Sequence, residues 1–212
     1  MKKKIQKGLY IIVDPAMDDF KILQQLYQIH TEQLAAVQIW DNPNAKISIR
    51  LIEEIVQLFK NTSTPILINN RWEYLQDYDL DGVHFDNLPT QIKEIAFQIN
   101  KDFIKGITLT NNLEDLPRIE KMKFDYLSFC SLFPSTTSQS CELVAFDTLR
   151  HCKKKTKTPI FLSGGITPDN LQQLHSLNFE GIAIVSGIMN AAQPQKELKN
   201  YQQQLKNITY AT

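Results

Sequence analysis

The sequence predicts an α/β fold, a single-domain (β/α)8 TIM barrel over residues 1–212. Three observations predict it. Short apolar runs alternate with amphipathic runs along the whole chain, the pattern of a parallel sheet covered by helices. The alternation counts out to eight β-α units with short links, and eight favour closure. No Gly-x-Gly-x-x-Gly follows the first strand, so nothing points to an open dinucleotide-binding sheet.

The elements follow in order. Residues 8–13 form the first strand, ended by Asp14-Pro15, and Asp18 caps a helix to about His30. Residues 34–40 form the second strand, and 41–44 are a loop. The segment 47–60 repeats Ile47, Leu51, Ile55 and Leu58 at helical spacing. Residues 65–69 are the third strand, with a short helix over 71–76, and 81–84 the fourth, with a helix over 90–100. The fifth strand is 103–108, after which Asn111 or Asn112 caps a helix through Glu120. The sixth is 124–129, followed by a polar loop over 131–140 and a helix over 145–154. The last two strands lie in Thr158-Pro-Ile-Phe-Leu-Ser-Gly-Gly-Ile166 and Gly181-Ile-Ala-Ile-Val-Ser-Gly-Ile188, and a polar helix over 194–207 closes the chain. The polar residues 1–7 are expected to be a flexible lead-in.

Lys plus Arg and Asp plus Glu each number 23, for a formal net charge of +0. Such a balance provides no field for nucleic acid or an acidic membrane surface. Cys130, Cys141 and Cys152 lack Cys-x-x-Cys spacing, so neither a disulfide framework nor a zinc site is expected. No apolar run approaches the ~20 residues of a membrane helix. No apolar segment precedes the first strand as a secretory signal would. A cytoplasmic protein is expected, with no nucleic acid or membrane partner. Its oligomeric state is open, and a homodimer is compatible with it.

In a barrel of this kind the C-terminal strand ends build the site. The polar residues there are mostly neutral, among them Gln38, Trp40, Asn69, His84, Thr108, Thr110, Ser128 and Ser163. Converging amides and hydroxyls suit an aromatic heterocycle with ring nitrogens and an amino group. The two final strands each stop at Gly and Ser. Turns of small residues free backbone N–H groups, which bind phosphate. Ser163, Gly164, Gly165, Val185 and Ser186 are therefore the candidate phosphate cradle. The bland alternatives are a core hydrogen bond for His84, loop satisfaction for Gln38 and Asn69, and wall packing for Trp40.

An ordered set of motifs resembles the thiamin phosphate synthase/TenI superfamily over about residues 8–190. The set is Leu9-Tyr-Ile-Ile-Val-Asp14, Val37-Gln38, Ile68-Asn-Asn-Arg71, Asp81-Gly-Val-His84, Phe124-Asp-Tyr126, Phe133-Pro-Ser135, Gly164-Gly-Ile166 with Asn170, and Val185-Ser186. The resemblance implies that hydroxymethylpyrimidine diphosphate is joined to thiazole phosphate, a small phosphate ester, with release of pyrophosphate. It also implies pyrimidine contacts at Gln38, Asn69, His84 and Thr108, with His84 and Thr108 as the catalytic candidates. It implies Mg2+ as well, but the family's aspartate is Asn70 here, and a neutral amide holds Mg2+ weakly. The chain departs from the family's pyrophosphate grip at Trp40, Asn42, Asn70 and Ser138, where Arg, Lys, Asp and Lys are usual. Arg71 and Asp86 are the residues expected to compensate, Asp86 only after a backbone shift. The TenI branch uses a histidine where Thr110 stands, and a threonine is a poor base. Thiazole phosphate tautomerisation with His84 as base, and non-catalytic binding of thiamin phosphate or a related ester, stay open as alternatives.

Overall fold

Residue parity along eight short strands decides what faces the inside of this molecule. The computed structural model describes residues 3–135 and 142–209 and joins the strands, in sequence order, into one closed parallel barrel. They are β1 (Gly8–Val13), β2 (Ala36–Ile39), β3 (Ile66–Asn69), β4 (Gly82–Phe85), β5 (Ile104–Leu109), β6 (Tyr126–Phe129), β7 (Ile160–Ser163) and β8 (Gly181–Ile184). Side chains alternate faces along a strand. One parity puts Tyr10, Ala36, Leu67, Ile104, Tyr126, Phe161 and Ala183 in a lumen cluster. The other sends Leu9, Ile11, Val37, Ile66 and Ile68 outward into the larger core under the helices. Both faces are covered, which is why the strands read as unbroken apolar runs.

The lumen is plugged by rings. Tyr10, Tyr126 and Phe161 meet edge-on with centroids 5.5–5.8 Å apart. Gly106 makes room for the phenol, since a Cβ there would lie 2.1 Å from the Tyr126 ring. This plug is the floor of the space above it.

The outer layer comprises α1 (Asp19–Ile29), α2 (Ile49–Phe59), α3 (Tyr74–Asp77), α4 (Ile92–Ile99), α5 (Leu116–Lys121), α6 (Phe146–Lys155), α7 (Ser186–Met189) and α8 (Pro194–Thr209). Asp18 caps α1 by accepting from the Lys21 amide at 3.0 Å, and Ser48 caps α2 through Leu51. Each cap stabilises by about 1 kcal/mol. α2 buries Leu51, Ile52, Ile55 and Phe59. Complete burial of a side chain such as Phe59 contributes roughly 1.5–3 kcal/mol. Among the described residues no helix is long and apolar enough to cross a membrane.

Two elements differ from the sequence expectation. Neither Asn111 nor Asn112 caps α5, which starts after Asp115. Asn111 instead accepts from the Ala145 amide at 2.9 Å and the Thr148 hydroxyl at 3.2 Å, and donates to Leu143 O. Asn112 accepts from the Glu114 amide within a turn. After β7 only a 3-10 turn forms, over Leu171–Leu174, so no helix end follows the first glycine turn directly.

The N-terminal face of the barrel carries a repeated device. Asp81, Asp125 and Glu180 immediately precede β4, β6 and β8. Their carboxylates accept from the amides of Ile66, Lys105 and Ile160 at 2.8, 2.8 and 2.6 Å. Each acid also donates its own amide to the carbonyl of that same residue, at 2.8 Å in all three cases. Lys3 adds to this face by reaching Asp81 at 3.5 Å and the Thr64 carbonyl at 3.0 Å.

Candidate functional site

The last inward position of most strands is polar, so parity collects these residues at the C-terminal mouth. A cavity of about 800 Å³ opens there. Gln38, Asn69, His84, Thr108, Ser163, Gly164, Gly165, Val185 and Ser186 all line it, together with Trp40, Asp86 and Thr110.

A hydrogen-bonded chain crosses its floor. Tyr10 OH donates to Gln38 Oε1 at 2.6 Å, so the Tyr10 oxygen accepts from Tyr126 OH, 2.8 Å away. The Tyr126 oxygen then accepts from His84 Nδ1, also at 2.8 Å. His84 Nε2 is left with its lone pair, and it accepts from the Thr108 hydroxyl at 2.8 Å. One amide orientation at Gln38 thus sets the direction of every bond through to Thr108. Burial holds the His84 imidazole down at a pKa of about 4, against the opposing pull of the Asp86 carboxylate. Burial also raises both tyrosines, Tyr10 and Tyr126, above the ordinary phenol range. The whole chain is therefore neutral at pH 7.

The two glycine turns meet on the opposite rim. Gly164 and Gly165 take φ values of +88° and +64°. A Cβ at Gly165 would stand 2.5 Å from the Pro134 carbonyl. The carbonyls of this turn are occupied: Ser163 O and Gly164 O accept from Leu132 and Phe133, and Gly165 O accepts from Asn170 Nδ2. Among the described residues, no acceptor engages the amides of Gly164, Gly165 and Ile166, nor those of Ser186 and Gly187. All five residues line the one cavity, and open backbone amides at such turns suit an anion. Tyr201 from α8 braces the turn by donating to Ile166 O at 3.1 Å.

The remaining rim is stitched by carboxylate–amide pairs. Asn42 Nδ2 donates to Asp14 at 2.8 Å, and Asn69 Oδ1 accepts from the Asp41 amide at 3.2 Å. Asp86 Oδ1 accepts from Asn69 at 3.0 Å and Oδ2 from Asn70 at 2.7 Å, while the Asp86 amide donates to Asn70 Oδ1 at 3.0 Å. Asp86 lines the cavity. Arg71 does not line the cavity. Both Asp41 oxygens lie 3.0 Å from its Nε, and its side chain is 59% exposed. That hydrogen bond raises the guanidinium pKa further.

Sequence reasoning passed over Tyr10, Glu142 and Tyr201, which also line the cavity. Inward parity beside Gln38 was a signal for Tyr10. For Tyr201 it was the Leu198, Tyr201, Leu205 spacing in an otherwise polar helix. Nothing in the sequence signals Glu142. Asp86 and Glu142 are the only formally charged side chains among the described lining residues.

The family model described as thiamine monophosphate synthase matches residues 9–188, most of the chain. The chain belongs to this family. It is 27% identical over 198 residues to a thiamine-phosphate synthase of Clostridioides difficile, covering 91% of this chain and 92% of the relative. It is 23% identical over 200 residues to one of Methanobrevibacter smithii, at 94% and 95% coverage. The thiamine phosphate pyrophosphorylase structure from Pyrococcus furiosus superposes with a TM-score of 0.76 at 22% identity, covering 98% of each chain, which speaks to the fold alone.

Among the described positions where the chain lacks the pyrophosphate grip that its resemblance implied, Trp40 alone lines the cavity. Asn42 is buried in its brace to Asp14, Asn70 is committed to Asp86, and Ser138 lies outside the described residues. Among the described residues, no three His, Cys, Asp or Glu side chains gather where they would hold a metal. Mg2+ demands oxygen ligands in octahedral array. At Asp86 it would meet amide N–H groups instead. The residues present do not fit that ion.

Proposed function

We propose that this protein is a thiamine phosphate synthase-type enzyme. It joins hydroxymethylpyrimidine diphosphate to thiazole phosphate through neutral ring contacts and a backbone-amide phosphate cradle. The observation that carries this reading is that the Gln38-to-Thr108 chain and the five open amides line one cavity. In the reaction the bond from the pyrimidine methylene carbon to the diphosphate oxygen breaks. Pyrophosphate leaves with the electron pair, and the thiazole nitrogen forms the new C–N bond. No proton is transferred, which suits a floor that stays neutral.

Gln38, Asn69, His84 and Thr108 bind the pyrimidine in this reading, and the thiazole phosphate sits on the turns at Gly164-Gly165 and Val185-Ser186. The Asp86 and Glu142 carboxylates favour the positive charge that grows on the methylene carbon and ends on the thiazolium. Among the described lining residues no Lys or Arg favours the departing diphosphate. A preorganised group of that kind is worth about 3–4 kcal/mol, so turnover is expected to be slow. The setting implied is a cytoplasmic one, with small phosphate esters as substrates.

Incubating the purified protein with both phosphorylated substrates, with MgCl2 in the buffer, should yield thiamin phosphate and pyrophosphate in equal amounts. No product at high protein concentration would refute the enzyme reading. A second reading, binding without turnover, is favoured by the absence of Lys and Arg among the described lining residues. Calorimetric binding of thiamin phosphate with no product formed would select it.

A further inference from the structure

The contact between Asn70 and Asp86 is a closed two-point clasp. The side-chain amide of Asn70 donates to Asp86 Oδ2 at 2.7 Å, and the Asp86 backbone amide donates to Asn70 Oδ1 at 3.0 Å. Asn69 fills the other carboxylate oxygen at 3.0 Å. Asn70 also holds its own backbone in place, its amide donating to His84 O and its carbonyl accepting from Trp72. The loops after β3 and β4 are thus joined by hydrogen bonds alone, and the Asp86 charge is met by N–H dipoles. A divalent ion would have to displace those donors, and the only ligating atom Asn70 offers already accepts from Asp86.

We propose that the Asn70–Asp86 clasp takes the place of a divalent cation. It joins the β3 and β4 loops without metal, so that the protein itself carries no Mg2+ site. Changing the one atom that donates should reverse this. Asn70→Asp puts a second carboxylate opposite Asp86, and two carboxylates from adjacent loops are what an oxygen-coordinated cation requires. Asn70 sits at φ +55°. Asp tolerates that region nearly as well as Asn, so the variant keeps the backbone.

The inference rests on the enzyme reading only in giving this rim a role, and its test uses no substrate. MgCl2 is titrated into wild type and Asn70→Asp by calorimetry, and both are melted in excess MgCl2 and in EDTA. Wild type should release no binding heat and melt identically in both. Asn70→Asp should melt below wild type in EDTA, because like charges now face each other. It should then rise by about 5 °C or more in MgCl2, the effect of a ligand near a hundredfold its Kd on a chain this size. Mg2+ binding to wild type would overturn the proposal, and so would a folded Asn70→Asp that stays silent. Should that variant not fold, Mn2+ titration of wild type followed by electron paramagnetic resonance decides alone. Free Mn2+ throughout supports the clasp, and a bound signal removed by Asp86→Asn overturns it. Failure of the substrate assay leaves every one of these outcomes unchanged.

Discussion

Acidification should destabilise this protein through one buried imidazole. His84 has a folded pKa of about 4 against an ordinary 6.5, because burial penalises its charged form. Between those values the unfolded chain holds more protons than the folded one, so stability falls as pH falls. The contribution is fully present above pH 6.5 and is lost progressively toward pH 4. Integrating the two titrations gives a loss of about 2 kcal/mol between pH 7 and pH 5. The assay is urea unfolding at both pH values for wild type and His84→Asn. The asparagine amide can still donate toward Tyr126 but does not titrate, so the variant isolates this group from all others. Wild type should lose about 2 kcal/mol more than the variant over that interval. Parallel pH dependence in the two proteins would refute the claim that His84 is buried neutral.

Other perturbations have equally definite outcomes. Gly165→Ala forces a left-handed alanine against the Pro134 carbonyl, 2.5 Å from its Cβ. It should cost at least about 1–2 kcal/mol in a thermal melt and weaken calorimetric binding of thiazole phosphate. Gly106→Ala drives a methyl into the Tyr126 ring, 2.1 Å away. An overpacked core costs about 1–3 kcal/mol, and the displaced phenol should show in near-ultraviolet circular dichroism. Arg71→Ala removes a largely exposed ion pair with Asp41. Stability should change by no more than about 1 kcal/mol, and thiamin phosphate binding should not change.

Much of the architecture was legible because burial on both sides of a parallel strand leaves an apolar run that ends where polar, inward-facing groups begin. Gln38, Asn69, His84, Thr108 and Ser163 stand at such ends, and all of them line one cavity. The Gly164-Gly165 turn was legible because a left-handed backbone beside a crowded loop admits little else. Pairings between distant residues were not. Tyr10 meets Tyr126 across 116 positions, and no local pattern encodes that meeting. From sequence Arg71 was expected to compensate for the missing cations, and only the fold brings Asp41 to it from the neighbouring loop. The capping role expected of Asn111 failed for a similar reason, since its side chain pairs instead with Leu143, Ala145 and Thr148 at the start of α6.

The carboxylates under β4, β6 and β8 bear on how the chain finds this shape. Each joins residues only 15 or 20 positions apart, within a single β-α-β unit. The entropy lost in closing a loop grows slowly with its length, but it must be met before the contact forms. Three of the seams can therefore be fastened early, by short-range bonds that hold a strand in register before the next one arrives. The meeting of β1 with β8, where Tyr10 pairs with Ala183, has no such latch among the described residues and joins strands far apart in the sequence. Ring closure is thus the one long-range step left to the end, and the slowest part of folding belongs at that seam.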